Sequence, residues 1–320
     1  MHTLITPLDW GLGHASRSLA LARRLTDGGD RISWACSGPA AAMLRRELPA
    51  ATIHALPPYA VTYPTASMVW NVARQAWRWQ RTIRAEHRAV AELVATLEVD
   101  RIVSDSRFGC YHHEVPSIFV THQLHPITGF APASALYRWQ LRHFDEFWVP
   151  DHAGHDRLSG KLSDPAGYDS VRFIGPLSRL SATPGTEPFD VLVLLSGPEP
   201  MRTRLEEIIL PQLSGLGRSY RVVRGLPQER TSPTPAQLDF ADTPTLSRLL
   251  TAARCVVARP GYSSLMDLRA LGKPAVLIPT PGQTEQAYLA QRAQLQGWAV
   301  AVMDQEQLDL AEALGRLPGH

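Results

Sequence analysis

Twice along this chain, short, predominantly apolar runs alternate with amphipathic helices, and a stretch rich in proline and glycine separates the two series. The first series has strand-like runs at Thr3–Pro7, Ile32–Cys36, Arg101–Ser104, Ser117–Thr121 and Glu146–Val149, with helical patterns at Ala15–Thr26, Ala40–Glu47 and Val69–Leu97. The second has runs at Val191–Leu195, Arg221–Val223, Cys255–Ala258, Ala275–Ile278 and Ala299–Val302, with helices at Arg204–Leu213, Thr245–Ala252, Ser264–Leu271 and Thr284–Gln296. Runs that are apolar at successive positions, rather than alternating, suit strands buried on both faces, and the intervening helices suit the crossovers of a parallel sheet. Pro150–Pro188, broken only by a short run at Val171–Ile174, reads as the boundary. The pattern predicts an α/β chain of two Rossmann-like doubly wound domains, 1–175 and 176–320. Each would offer the carboxyl ends of its strands to a cleft between them, where ligands of open α/β sheets bind.

Composition narrows the function classes. At 320 residues, 44% hydrophobic and 19% charged, the chain can fill two ordinary cores and is not of the disordered class. A formal net charge of +2 provides no global field for nucleic acid. Cys36, Cys110 and Cys255 lie far apart beside apolar runs and read as buried thiols rather than as disulfide or zinc ligands. Thr3–Leu8 lacks the basic region and cleavage site of a secretory leader, and no stretch has the length of a membrane span. A cytoplasmic location is expected.

The densest set of chemical signals is Ala258-Arg-Pro-Gly-Tyr-Ser-Ser-Leu-Met-Asp267, followed by Pro279-Thr-Pro-Gly-Gln-Thr-Glu-Gln286. The first follows a strand and opens a helix near Ser263 and Ser264, whose free N–H groups and positive dipole end suit a diphosphate, with Gly261 allowing close approach. Asp267, one turn on, has the acceptor oxygens for a ribose diol, and Glu285 beside Gln286 suits sugar hydroxyls, which donate and accept at once. Taken singly, each piece also fits an ordinary helix start or a solvated face. Together they fall at the ends of neighbouring strands, at the spacing one ligand needs.

The run Val257–Ala290 resembles the nucleotide-sugar-binding region of GT-B glycosyltransferases, and is most similar to the MurG-like family, of glycosyltransferase family 28 type. That family moves N-acetylglucosamine from a UDP donor to a lipid-linked acceptor. The resemblance implies that Asp267 holds the ribose, that Gln286 contacts the donor sugar, that backbone at Gly261–Ser264 meets the phosphates, and that Asp242–Leu246 cups the base, with Leu246 in the site. The family's paired Gln-Gln stands here as Gln286-Ala287 preceded by Glu285, which leaves the sugar open. A second turn, Ser196-Gly-Pro-Glu-Pro200, matches a glycine-richer phosphate loop; its two prolines remove N–H donors and confine contact to Ser196 and Gly197.

The first turn, Gly11-Leu-Gly13-His14-Ala-Ser-Arg17, lacks the third glycine of a dinucleotide fingerprint and instead resembles the acceptor-side glycine loop of the same family. His14 reads as a general base toward an acceptor hydroxyl, or as a hydrogen-bond partner near the leaving phosphate; it also reads as a helix-start residue bonded to backbone. Asp105 ends one strand, and His122 with Gln123 follows the next, toward the same sheet edge. Asp105 orients a catalytic histidine, binds the acceptor, or caps its loop. His122 and Gln123 match in part a His-Glu-Gln motif of the family.

No Asp-x-Asp motif occurs, so metal-independent stabilisation of the leaving diphosphate is expected, with no cofactor. Along the helix that begins near Met68, Trp70, Arg74, Trp77, Arg81, Arg84 and Arg88 share a face that suits an anionic lipid surface, a phosphate-bearing acceptor, or plain Arg–Trp stacking. The resemblance implies an inverting sugar transfer from a nucleotide diphosphate, UDP for preference, to a hydroxyl acceptor of unknown identity, lipid-linked in the family. It also implies peripheral contact with the inner membrane face through Trp70–Arg88. Two rivals stand beside it. A UDP-sugar hydrolase of the same fold shares the Gly-x-Gly-His-x-x-Arg turn, and a non-catalytic nucleotide-binding module would bind without turnover.

Overall fold

The computed structural model describes residues 1–10, 12–59, 68–127, 131–185, 187–226 and 236–318, with the side chains of 68–76 and 131–133 outside the description. Gly11 therefore lies outside the described residues, as do the side chains of Trp70 and Arg74. The chain divides into two compact units, Met1–Leu177 and Ser178–His320.

The first unit is a seven-stranded sheet in which every pairing is parallel. Its elements run β1 (His2–Pro7), α1 (Leu12–Asp27), β2 (Arg31–Cys36), α2 (Gly38–Glu47), β3 (Ile53–Ala55), α3 (Met68–Leu97), β4 (Arg101–Asp105), β5 (Ser117–Val120), α4 (Ala131–Leu141), β6 (Glu146–Val149) and β7 (Val171–Phe173). The strand order is β3-β2-β1-β4-β5-β6-β7. β1 and β5 are buried at every position, which is why their sequences are largely apolar.

The second unit repeats the plan with six strands. It runs β8 (Phe189–Leu194), α5 (Met201–Gly215), β9 (Tyr220–Val223), β10 (Gln237–Leu238), α6 (Thr243–Ala252), β11 (Ala253–Ala258), α7 (Tyr262–Ala270), β12 (Ala275–Leu277), α8 (Thr284–Leu295), β13 (Ala299–Ala301) and α9 (Leu310–Gly315). The order is β10-β9-β8-β11-β12-β13, again parallel throughout. Val191, Val193, Val257, Val276 and Ile278 form its core with Leu205, Ile209 and Leu213 of α5 and Leu310 and Leu314 of α9. Each such side chain contributes roughly 1.5–3 kcal/mol on burial.

The doubly wound α/β expectation holds in both units. Four elements escape the sequence pattern: β3 and β10 are too short for periodicity, α4 begins with a proline in its first turn, and α9 is a short helix at the chain's end. The first glycine turn is also shorter than expected. α1 starts at Leu12, so Gly13 and His14 are helical rather than in the loop. Gly13, in the first turn of α1, costs the helix at most the roughly 1 kcal/mol of an interior glycine, less than α1 gains by burying Ala15, Leu19 and Ala22 beside β1 and β2. Val171–Phe173, which the sequence places inside the boundary stretch, is the edge strand of the first sheet. Cys36, Cys110 and Cys255 are all free and buried, and burial raises each thiol, those of Cys36 and Cys255 to about 11.

Candidate active site

Register assembles the group in the first unit. Pro7, the last residue of β1, pairs with Asp105 at the end of β4, and Asp105 pairs with Val120 of β5. The chain leaving β1 enters α1 almost at once, so the first turns of α1 meet the carboxyl end of β4, and His122 follows two residues after β5. Asp105 is 1% exposed and is the hub. Its Oδ1 is 2.9 Å from His14 Nδ1, and Ser18 Oγ donates to Oδ2 at 2.9 Å. Arg17, 2% exposed, donates from Nε to Oδ1 and Oδ2 at 3.0 and 2.9 Å, and from Nη2 to Oδ1. Burial alone would raise the Asp105 carboxyl; the Arg17 guanidinium, then His14, outweigh it and hold the group well below the usual carboxylate range.

These contacts fix proton positions. An ionised carboxylate only accepts, so His14 Nδ1 carries the proton toward Asp105, although Arg17 Nη2 also lies 2.9 Å from that nitrogen. In the neutral ring with that tautomer Nε2 can accept; it has no hydrogen-bond partner among the described residues, and the side chain is 20% exposed. Arg17 Nη1 lies 3.2 Å from His122 Nδ1; a guanidinium only donates, so His122 Nδ1 accepts there. One buried arginine thus joins Asp105, His14 and His122. Sequence alone places Arg17 only in the Gly-x-Gly-His-x-x-Arg turn shared with the hydrolase and gives it no site role; the signal is its place three residues after His14, on the same helix face.

Local backbone supports the hub. Ser106, directly after Asp105, holds a left-handed φ of 64°, an unfavourable conformation for a residue with a side chain, and its hydroxyl takes Arg17 Nη2 at 3.2 Å. Below it, buried Arg107 binds Pro7 O at 3.0 Å, Ser37 Oγ at 2.7 Å and Glu86 Oε1 at 2.5 Å. Gly109 meets α3 so closely that an added Cβ would stand 2.3 Å from Ile83 O, so only glycine fits. Burial, against the pull of Arg107, raises the Glu86 carboxyl to about 7.

In the second unit, Ala258 of β11 pairs with Leu194 on one side and Leu277 on the other. The loops after β8, β11 and β12 therefore leave one sheet edge together, which brings Ser196 and Gly197, Gly261 to Ser264, and the Pro279–Gln286 segment to one end of the sheet. Ser196 and Gly197 are exposed, and Gly197 has a φ of 106°, open to glycine. Gly261 caps α7, with Ser263 and Ser264 in its first turn, and Leu265 N bonds Gly261 O at 3.0 Å.

Two expected ligand groups are engaged within the unit. Asp267 Oδ1 accepts from Ser178 Oγ at 2.5 Å, and burial, against Ser178 and Arg179, raises its carboxyl to about 6. Arg179 bonds Thr243 Oγ1 at the start of α6, where Asp242 caps Thr245 N at 2.9 Å and Leu246 is partly buried. Asp267 and the Asp242–Leu246 segment are thereby joined through Ser178 and Arg179, residues the sequence reading passed over inside the boundary stretch. Gln286 Oε1 accepts from Thr280 N at 2.8 Å, while its Nε2 makes no hydrogen bond among the described residues. Glu285 is partly buried in the same first turn of α8.

On α3, the Trp77 side chain is 56% exposed, with the Arg78 and Arg81 guanidinia 5.5 and 5.7 Å from its ring centre. Among the described residues no helix is long and apolar enough to cross a membrane.

Residues 227–317 match the glycosyltransferase family 28 C-terminal domain, a span that holds every second-unit candidate except Ser196 and Gly197. Over 114 residues the chain is 33% identical to the UDP-N-acetylglucosamine--N-acetylmuramyl-(pentapeptide) pyrophosphoryl-undecaprenol N-acetylglucosamine transferase of Methylobacterium sp. (strain 4-46); the match covers 35% of this chain and 28% of that relative's length. Among solved structures, the spinosyn rhamnosyltransferase SpnG complexed with thymidine diphosphate superposes with a TM-score of 0.68 at 13% identity, covering 100% of this chain and 92% of that one. MurG of Acinetobacter baumannii superposes with a TM-score of 0.59 at 15% identity, covering 98% and 89%. The fold is that of the GT-B glycosyltransferases.

Proposed function

We propose that this chain, which carries a family 28 C-terminal domain on a MurG-like GT-B fold, is a glycosyltransferase that moves a sugar from a nucleotide diphosphate, UDP for preference, to a hydroxyl acceptor. The observation that carries the reading is the His14–Asp105 pair. Asp105 holds the proton of His14 on Nδ1, which turns an unprotonated Nε2 outward as a base for a hydroxyl. As the acceptor oxygen attacks the anomeric carbon, its proton passes to Nε2, the imidazolium faces Asp105, and the bond to the diphosphate breaks. A direct attack of this kind inverts the anomeric centre and needs no covalent intermediate. The departing charge would be met by the N-terminus of α7 at Gly261–Ser264 and by Ser196 and Gly197, with no metal ion called for.

Asp267 and Leu246 are assigned to ribose and base, and Glu285 and Gln286 to the sugar. The engaged groups fit these roles, since a ribose hydroxyl takes the place of Ser178 Oγ on Asp267, and Gln286 still offers its amide N–H. Asp267→Ala should weaken UDP binding by about 1.5–3 kcal/mol, the scale of charge-assisted hydrogen bonds. The pH dependence follows from the raised carboxyl. Only the ionised form accepts both diol hydrogens, so uridine affinity should fall as pH drops through about 6 and level off in Asp267→Asn. Calorimetry with equal uridine affinity at pH 7.5 and pH 5 would remove Asp267 from the ribose.

The acceptor class is carried by the exposed Trp77 and its two arginines, which suit an interface with anionic lipid and hence a lipid-linked acceptor at the inner membrane face. Sedimentation with phosphatidylglycerol vesicles should then occur and be lost in Trp77→Ala; a protein that stays in the supernatant has no such face. The overall test is a thermal-shift screen of nucleotide-sugars, followed by incubation of the best donor with and without a cell-lipid extract. Sugar transfer to a lipid-soluble product supports the proposal. Rapid stoichiometric release of free sugar without acceptor would make the chain a hydrolase, and tight binding without turnover a nucleotide-binding module.

A further inference from the structure

Thr280 follows β12, is 3% exposed, and its Oγ1 is fully buried with no hydrogen-bond partner among the described residues. A buried hydroxyl left unpaired costs stability, and native chains pair nearly all of them. The loop gives this one little freedom to find a partner of its own. Thr280 N is held by Gln286 Oε1 at 2.8 Å, Thr280 O by Gln283 N at 3.0 Å, and the preceding Pro279 O by Arg259 Nη1 at 2.8 Å.

What stands against the hydroxyl is Gly197. A Cβ built there would lie 3.6 Å from Thr280 Oγ1, so any side chain at 197 would fill the space in front of it. Gly197 belongs to the exposed turn after β8, and its φ of 106° is one that side-chain-bearing residues rarely adopt. Arg259, on the neighbouring loop between β11 and α7, adds a second buried donor. It is 1% exposed, bonds only the oxygens of Met201, Ile278, Pro279 and Gln305, has no carboxylate partner among the described residues, and leaves Nε without an acceptor. Two buried donors and an unopposed positive charge at one sheet end call for an anionic oxygen.

We propose that Thr280 is a donor-binding residue whose hydroxyl gives a hydrogen bond to a phosphate oxygen of the nucleotide diphosphate, reached past the Gly197 turn, where no Cβ covers it. Arg259 acts as a positioning residue, fixing the loop through Pro279 O. The inference rests on the nucleotide-sugar reading and adds to it a contact made through a side chain rather than through a helix end.

The test is calorimetry of wild type, Thr280→Val and Thr280→Ser with UDP, dTDP and uridine, together with the Tm of each unliganded protein. Valine keeps the shape and removes the hydroxyl; it should weaken diphosphate binding about tenfold or more, leave uridine unchanged, and leave Tm equal or higher, because no bond is lost in the free protein. Serine should stay within about threefold of wild type, since it restores the donor. Unchanged diphosphate affinity in Thr280→Val overturns the proposal while leaving the donor reading intact. A lowered Tm alongside weaker binding of both uridine and UDP overturns it in favour of a structural role. A wild type that binds neither diphosphate overturns both readings together.

Discussion

Replacing His14 by alanine is expected to lower kcat by about a hundred- to ten-thousandfold, the range for loss of a general base, while nucleotide affinity stays nearly unchanged. The separation follows from the assignment, since every proposed nucleotide contact belongs to the second unit and His14 to the first. His14→Gln keeps a hydrogen-bonding group but cannot take a proton at neutral pH, so a true base is not rescued by it. Asp105→Asn probes the same chemistry from behind. With its amide nitrogen turned to His14, the asparagine donates to Nδ1, moves the imidazole proton to Nε2 and abolishes the base with little change in shape; its kcat should fall on the same scale. Near-normal turnover in His14→Gln would leave His14 a binding role only. A fall in UDP affinity in either His14 variant would mean that the α1 loop serves the donor instead.

The parts of this site legible in the sequence are those that follow from where strands end. Asp105, His122 and Gly261 each stand within a few residues of an apolar run, and a parallel sheet brings such positions to one edge without further information. What the sequence withholds is partnership across distance. Arg17 lies on a helix whose pattern alone gives no reason for a buried charge; its burial is a consequence of Asp105, 88 residues away. Ser178 and Arg179 sit in a stretch whose proline and glycine content signals only irregularity, yet they engage Asp267 and Thr243. Thr280 has no local signal at all, since an unpaired hydroxyl is visible only once its surroundings are known. The helix start at Leu12 was misplaced for a local reason, because two glycines read as a turn while tertiary packing extended the helix through one of them.

Arg17→Leu should produce the largest change in stability of any single substitution at this site. It leaves the Asp105 carboxylate 99% buried with only His14 and Ser18 beside it, and stranding one partner of a buried ion pair typically costs about 3–5 kcal/mol. Against the roughly 5–15 kcal/mol that holds a domain folded, such a loss moves the first unit close to its unfolding midpoint. The pH dependence separates this mechanism from simple loss of packing. In the native chain the folded carboxyl lies below its ordinary value of 3.8, so its stabilisation is fully present above about pH 4 and is lost only as pH falls further. Without the guanidinium, burial dominates and the folded carboxyl rises above its unfolded value. The folded variant then binds the extra proton, and its stability increases as pH falls from 7 toward 4.5. The gap between the two proteins in urea denaturation should therefore be widest at pH 7 and narrow on acidification. Pairing Arg17→Leu with Asp105→Leu removes the stranded charge, so the double variant should lose less than the sum of the two single ones. A gap that stays constant with pH, or a double variant that loses the full sum, would place the cost of Arg17→Leu in lost contacts and leave Asp105 indifferent to the arginine beside it.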